Sequence, residues 1–171
     1  MELPYSEHIW FTPRYAFLYF WEILRKDEQK ALKSVKYKKE REAWILGNAL
    51  FGISKKFGTQ WWLQVPVDDP PDMLAMTLVP EEGEDRNIIM YRKIEIMMIT
   101  NHTKDTIVEE IKRKMKNKFY EKETGLIVYL NRTVNIEDMR ALATQLSSTH
   151  ITASDVWILA CTSEDERKYI L

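Results

Sequence analysis

The period of the apolar residues changes several times along this chain. Between 37 and 57, Trp44, Ile45, Leu46, Ala49, Leu50 and Ile53 recur three and four apart. That spacing gathers them on one side of a helix, and Gly58 stands where such a helix would end. Ahead of it, Thr12-Pro13 reads as a cap followed by proline at the first helical position. From Arg14 no breaker interrupts the chain until about Leu32, which predicts one helix there. Beyond Gly58 the pattern shortens, and 61–65, 72–79 and 88–99 read as strands. Pro70-Pro71 keeps 68–71 out of a central ladder, because proline has no N–H to donate. Residues 80–87 form an acidic loop with Glu81, Glu82, Glu84 and Asp85. Strands joined by such short connections predict an antiparallel meander.

Helical spacing returns in 103–118, where Thr103 is the expected cap and Ile107, Ile111, Met115 and Phe119 form the apolar face. Gly125-Leu126-Ile127-Val128-Tyr129-Leu130 is apolar almost throughout, as expected of a strand covered on both faces. Asn135 with Asp138 forms a capping box in which Asp replaces the usual Glu or Gln, with Val134 and Met139 as its staple. Ile136, Met139, Leu142, Ala143 and Leu146 give that helix its buried side, and 156–161 is a second buried strand. Strand–helix–strand of this kind predicts a parallel crossover. The order helix, helix, three strands, helix, strand, helix, strand defines an α/β chain with a mixed central sheet flanked by helices.

Composition narrows the class. A length of 171 residues points to a single domain over 1–171, with an N-terminal helical segment (1–36), a core (37–130) and an α–β extension (131–171). With 45% hydrophobic and 30% charged residues the chain is globular rather than disordered. Its single cysteine, Cys161, excludes an intramolecular disulfide and a cysteine-based metal cluster, and reads as a small core residue. The start, Met1-Glu2-Leu3-Pro4, has no basic leader region, and the apolar stretch 16–24 is short and interrupted by Glu22. No membrane association is expected, and a cytoplasmic location is. No phosphate-cradling glycine loop is present. The net charge of −1 provides no global basic field. Tyr5, Trp10, Phe11, Tyr15, Phe17, Tyr19, Phe20 and Trp21 all fall before residue 22, more than one buried stripe of a helix holds. This aromatic segment either packs on the main body or forms an interface with a second copy or a protein partner.

Two carboxylates carry the candidate chemistry. Asp72 follows Pro70-Pro71 and opens an apolar strand, and Glu95 sits inside Ile94-Glu95-Ile96-Met97-Met98-Ile99. A carboxylate in such a run is costly unless it is paired or metal-bound. The Pro-Asp element, a spacer and an acidic residue on a later strand, within helix–strand–strand–strand–helix–strand order, resemble the restriction-endonuclease-like superfamily of PD-(D/E)xK nucleases. The resemblance covers about 39–130. It implies that Asp72 and Glu95 hold Mg²⁺ or Mn²⁺, that Glu42 from the preceding helix joins them (with Glu40 behind it), and that DNA phosphodiesters are the substrate. The family's lysine falls at Met97 in this sequence. Lys93 shares a strand face with Glu95 and is the nearest replacement, and Lys112 on the next helix is another. With lysine absent from its usual place, the alternative is a nuclease-fold protein without catalysis that serves in nucleic-acid binding or assembly.

Two basic segments are candidates for phosphate contact: 30–41 with Lys55 and Lys56, and 112–118 with Lys112, Lys114 and Lys116. Asp68 and Asp69 read as solvated turn residues. His8, His102 and His150 lie far apart in sequence without zinc spacing.

Overall fold

The computed structural model describes residues 3–100, 106–116, 123–149, 153–162 and 165–170. Among these, the side chains of 115, 116, 132, 133, 161, 162 and 165–170 are outside the description. The chain divides into two compact units, Met1–Ile96 and Met97–Leu171.

In the first unit the helix expected over 14–32 is two helices, α1 (Pro13–Lys26) and α2 (Glu28–Lys33). Thr12 caps α1 by accepting the Tyr15 N–H at 3.2 Å. The break falls at Asp27, whose backbone is extended (φ −163, ψ 94) and whose carboxylate accepts the Lys30 N–H at 2.9 Å. Aspartate competes for backbone N–H groups in this way, so it ends one helix and starts the next without a glycine or proline.

α3 (Lys38–Phe57) ends at Gly58, which adopts the left-handed conformation (φ 68) that a side chain would strain. α1 packs on α3 at Gly47, where an added Cβ would lie 3.0 Å from the Pro13 carbonyl oxygen. The rings of Phe20 and Trp44 meet at 5.3 Å in the same contact. Arg41 donates from Nη1 to the carbonyls of Ala31 (3.0 Å) and Ser34 (3.2 Å), tying the α2 end to α3.

The expected meander follows as β1 (Trp61–Gln64), β2 (Met73–Pro80) and β3 (Asn87–Thr100), antiparallel throughout. The N-terminal segment adds to β1. Phe11 and Leu63 exchange N–H···O bonds at 3.0 and 2.9 Å, Tyr5 bridges Val65, and Gln64 Nε2 donates to the Ser6 carbonyl at 2.9 Å. β1 stops opposite Thr77, so the β2–β3 hairpin continues past it through Leu78↔Ile89 and Val79↔Ile88.

In the second unit the described helix α4 (Ile107–Lys116) begins at a reciprocal capping box. Thr106 Oγ1 accepts the Glu109 N–H (3.2 Å), and Glu109 Oε2 accepts the Thr106 N–H (2.9 Å). Thr103 and Phe119, expected at the ends of this helix, lie outside the described residues. β4 (Thr124–Val134), α5 (Ile136–Ser147) and β5 (Val156–Thr162) form the expected crossover, with β4 and β5 parallel from Leu126↔Val156 to Leu130↔Ala160. Asn135 accepts the Asp138 N–H at 2.7 Å, as its capping role requires.

A further strand, β6 (Asp165–Ile170), pairs antiparallel with β5. Asp-Glu-Arg-Lys opens it, so no apolar alternation marks a strand there. The buried core of this unit includes Met97, Ile99, Ile111, Leu126, Val128 and Leu142. The protein is thus a mixed α/β chain in which antiparallel and parallel strand pairs both occur. Among the described residues no helix is long and apolar enough to cross a membrane.

Candidate functional site

The candidate residues of the first unit converge where the start of α3 meets the start of β2. Lys38, Lys39 and Glu42 lie three and four apart at the α3 N-terminus, which places both ammonium groups beside one carboxylate. Lys38 Nζ is 3.5 Å from Glu42 Oε1, and Lys39 Nζ is 3.4 Å from Glu42 Oε2. The loop ahead of β2 brings the other acids. Asp69 Oδ2 lies 3.4 Å from Lys38 and 3.6 Å from Lys39, and Asp72 Oδ1 lies 3.8 Å from Lys38. Lys39 also donates to the Asp72 carbonyl at 3.2 Å.

β3 closes the arrangement from the other side. Its Ile96 N–H donates to Asp72 Oδ2 at 2.8 Å. The register Met73↔Ile94, continued by one residue, sets Asp72 opposite Glu95. Glu42 (6% exposed), Asp72 (4%) and Glu95 (1%) are all buried, so these carboxylates have exchanged most of their water for protein neighbours.

That exchange moves proton affinities. Burial, and then the charge of Asp72, raise the Glu42 pKa above that of an ordinary glutamate, while Lys39 and Lys38 pull it partway back. Burial alone would lower the Lys38 pKa. Glu42, Asp72 and Asp69 more than offset it, and the net shift is upward. Tyr5, on the strip bound to β1, is pushed up to about 12 by burial and by Glu40, Tyr19 and Glu42, with Glu40 hydrogen-bonded to it.

Asp72 and Glu42 both approach Lys38, and the strand register sets Glu95 opposite Asp72. Lys93 lies exposed opposite Leu74. Met97 is buried in the apolar core of the second unit. Lys112 is exposed and Lys114 half-buried on α4, and the side chain of Lys116 is outside the description.

Three assignments change. Lys38 and Lys39, expected among the phosphate-contact lysines of 30–41, are ion-paired within the acid cluster, and Asp69, expected as a solvated turn residue, is ion-paired by both. The signal is present in the sequence as Lys-Lys-x-x-Glu, whose helical spacing directs the lysines at Glu42. Asp69 has no such signal, because its approach depends on the path of the 68–72 loop.

The family resemblance implies Mg²⁺ or Mn²⁺ here. Among the described residues no three Asp, Glu, His or Cys side chains come together as a metal-binding group. Mg²⁺ is commonly held by one or two carboxylates and completed by water and substrate oxygens. Asp72 and Glu42 offer such a pair of buried carboxylates, each now ion-paired to lysine, Asp72 Oδ1 to Lys38 and Glu42 Oε2 to Lys39. The donors thus fit a hard cation in kind. Comparison with protein-family models, curated proteins and solved structures returned no match.

Proposed function

We propose that the chain is a metal-dependent nuclease of the PD-(D/E)xK kind, or a close derivative, acting on DNA phosphodiesters, and that α3 supplies the lysine missing from β3. One observation carries this reading: Lys38 Nζ lies within 3.8 Å of buried Asp72 and 3.5 Å of buried Glu42. A bound Mg²⁺ or Mn²⁺ would polarise the scissile phosphate and acidify its water. The chain's own residues hold the rest in place. The Ile96 N–H fixes one oxygen of Asp72 and leaves the other directed at Lys38. Lys39, bound to the Asp72 carbonyl and near Glu42, ties the loop to α3. Lys38, half exposed and held protonated by its acidic neighbours, is placed to face an incoming phosphate and offset developing negative charge.

The test is cleavage of supercoiled and linear DNA with Mg²⁺ or Mn²⁺. Asp72→Ala and Glu95→Ala should each abolish it, and Lys38→Ala should lower the rate about a hundredfold or more. Lys93→Ala and Lys112→Ala separate the other lysine candidates. Absence of cleavage with either metal on single- and double-stranded DNA would overturn the catalytic reading. The second reading, a nuclease-fold protein without catalysis that binds nucleic acid, is favoured by Met97, which is buried among apolar residues where the family lysine would stand. It predicts salt-sensitive DNA retention without cleavage.

A further inference from the structure

The β2–β3 hairpin breaks an ordinary rule of strand patterning. Ile88 (45% exposed), Ile89 (51%), Met90 (36%) and Tyr91 (59%) are consecutive, so both faces of β3 present apolar side chains to solvent here, and Leu78 (41%) opposite Ile89 adds to them. Tyr91 meets the Trp10 ring at 5.8 Å, and the rest of this run, on the part of the hairpin beyond the end of β1, is a docking or aggregation surface unless something covers it. Its tip is acidic: 81–86 holds Glu81, Glu82, Glu84 and Asp85 against Arg86 alone.

The same unit carries the opposite combination on α1, α2 and the short turn after them. Leu18 (51%), Trp21 (47%) and Val35 (85%) are exposed apolar residues. On the same segment Arg25, Lys26, Lys30, Lys33 and Lys36 are all exposed, and the acids between 18 and 36 are Glu22, which pairs with Arg25 at 3.7 Å, Asp27 and Glu28. Asp27 is committed to its cap on α2.

We propose that these two surfaces bind each other between two copies of the chain. The hairpin arm of each copy lies on the α1–α2 surface of the other, apolar against apolar, with the acidic tip against the basic rim. Charge complementarity selects a second copy as the occupant. The chain is nearly neutral overall, yet the hairpin tip carries an acidic excess and the α1–α2 surface a basic one. A twofold axis satisfies both patches at once, since each copy offers one arm and receives one. Exchange also doubles an interface that would be small for a stable dimer if made once.

The experiment measures mass by light scattering across a concentration series of the full chain, against twice 20.4 kDa for a dimer. Glu82→Lys with Asp85→Lys reverses the tip and spares Glu81 and Glu84, which pair with Arg86. Lys30→Glu with Lys33→Glu reverses the helical surface. Each variant alone should dimerise about tenfold or more weakly. An equimolar mixture of the two should recover the dimer, because each then meets an oppositely charged patch twice. Circular dichroism checks folding, and Arg25→Glu with Lys26→Glu replaces the second pair if α2 is lost. A wild-type monomer at every concentration, unchanged mass in both variants, or a mixture that stays monomeric would each overturn the proposal.

Discussion

Glu42, Lys38 and Lys39 form a local electrostatic unit whose response to pH has a definite sign. The folded state raises the Glu42 pKa, so folding disfavours its charged form. A raised folded pKa gives a relative stability that is full below the unfolded value, 4.5, and is lost as pH rises through the folded value. Glu42→Gln should therefore gain stability relative to wild type as pH increases across that window and show no such gain below it, measured by urea denaturation at a series of pH values. A difference that is flat or falls with pH would contradict the assignment. The lysines carry the opposite expectation. Lys39, 19% exposed, contacts Glu42, Asp69 and the Asp72 carbonyl, so Lys39→Met strands buried acceptors and should cost about 2 kcal/mol in the same denaturation assay. Lys38, 46% exposed, is better solvated, and Lys38→Met should cost about 1 kcal/mol or less. At this scale the carboxylates are legible in the sequence because an acid inside an apolar run requires explanation. Lys38 and Lys39 are obscured by the basic run around them, where composition outweighs helical phase.

Elements with a strong local cause are legible close to their observed limits. α3 has a complete apolar stripe and a terminal glycine, and β4 has an unbroken apolar run over 126–130, although its continuation to Val134 through Asn-Arg-Thr has no such mark. Elements that depend on partners are not legible in this way. Nothing in 3–11 marks it as an addition to β1, because that pairing is satisfied by a strand far away in sequence, and β6 opens on Asp-Glu-Arg-Lys rather than on an apolar run. The α1–α2 break is hidden for a different reason, since Asp27 supplies caps rather than the usual punctuation of glycine or proline. Gly47 offers an element-scale test in which two effects compete. Alanine is the better helix former by about 1 kcal/mol. Its Cβ would lie 3.0 Å from the Pro13 carbonyl oxygen, which is backbone and cannot turn aside, and such overpacking costs about 1–3 kcal/mol. The steric effect should win, so Gly47→Ala should lower stability by about 1 kcal/mol, with a larger loss for Gly47→Val. A stabilised Gly47→Ala would show that α1 and α3 separate easily. Thr106→Ala, which removes half of the α4 capping box, should cost about 1 kcal/mol by the same measurement.

For the whole molecule, net charge and local charge lead to different expectations about DNA. A net charge of −1 gives no long-range attraction, so any DNA binding would come from local basic groups and be steeply salt-dependent. The candidate groups differ in how they are engaged. Lys39 is ion-paired within the carboxylate cluster, so exchanging its acidic partners for a phosphate releases few counterions. Lys112 is exposed on α4 and has its own screening ions to release. If DNA binds through α4, the slope of log affinity against log salt should weaken by about 0.9 for Lys112→Ala, the value expected when one fewer phosphate of duplex DNA is neutralised. Lys39→Ala should leave that slope nearly unchanged, whatever it does to stability or cleavage. Fluorescence anisotropy over a salt titration reads both slopes with the same labelled duplex. A slope unaltered in Lys112→Ala would remove this α4 position from the nucleic-acid interface. A slope reduced only in Lys39→Ala would relocate phosphate binding to the acid cluster, where a lysine would have to exchange a carboxylate for the DNA backbone.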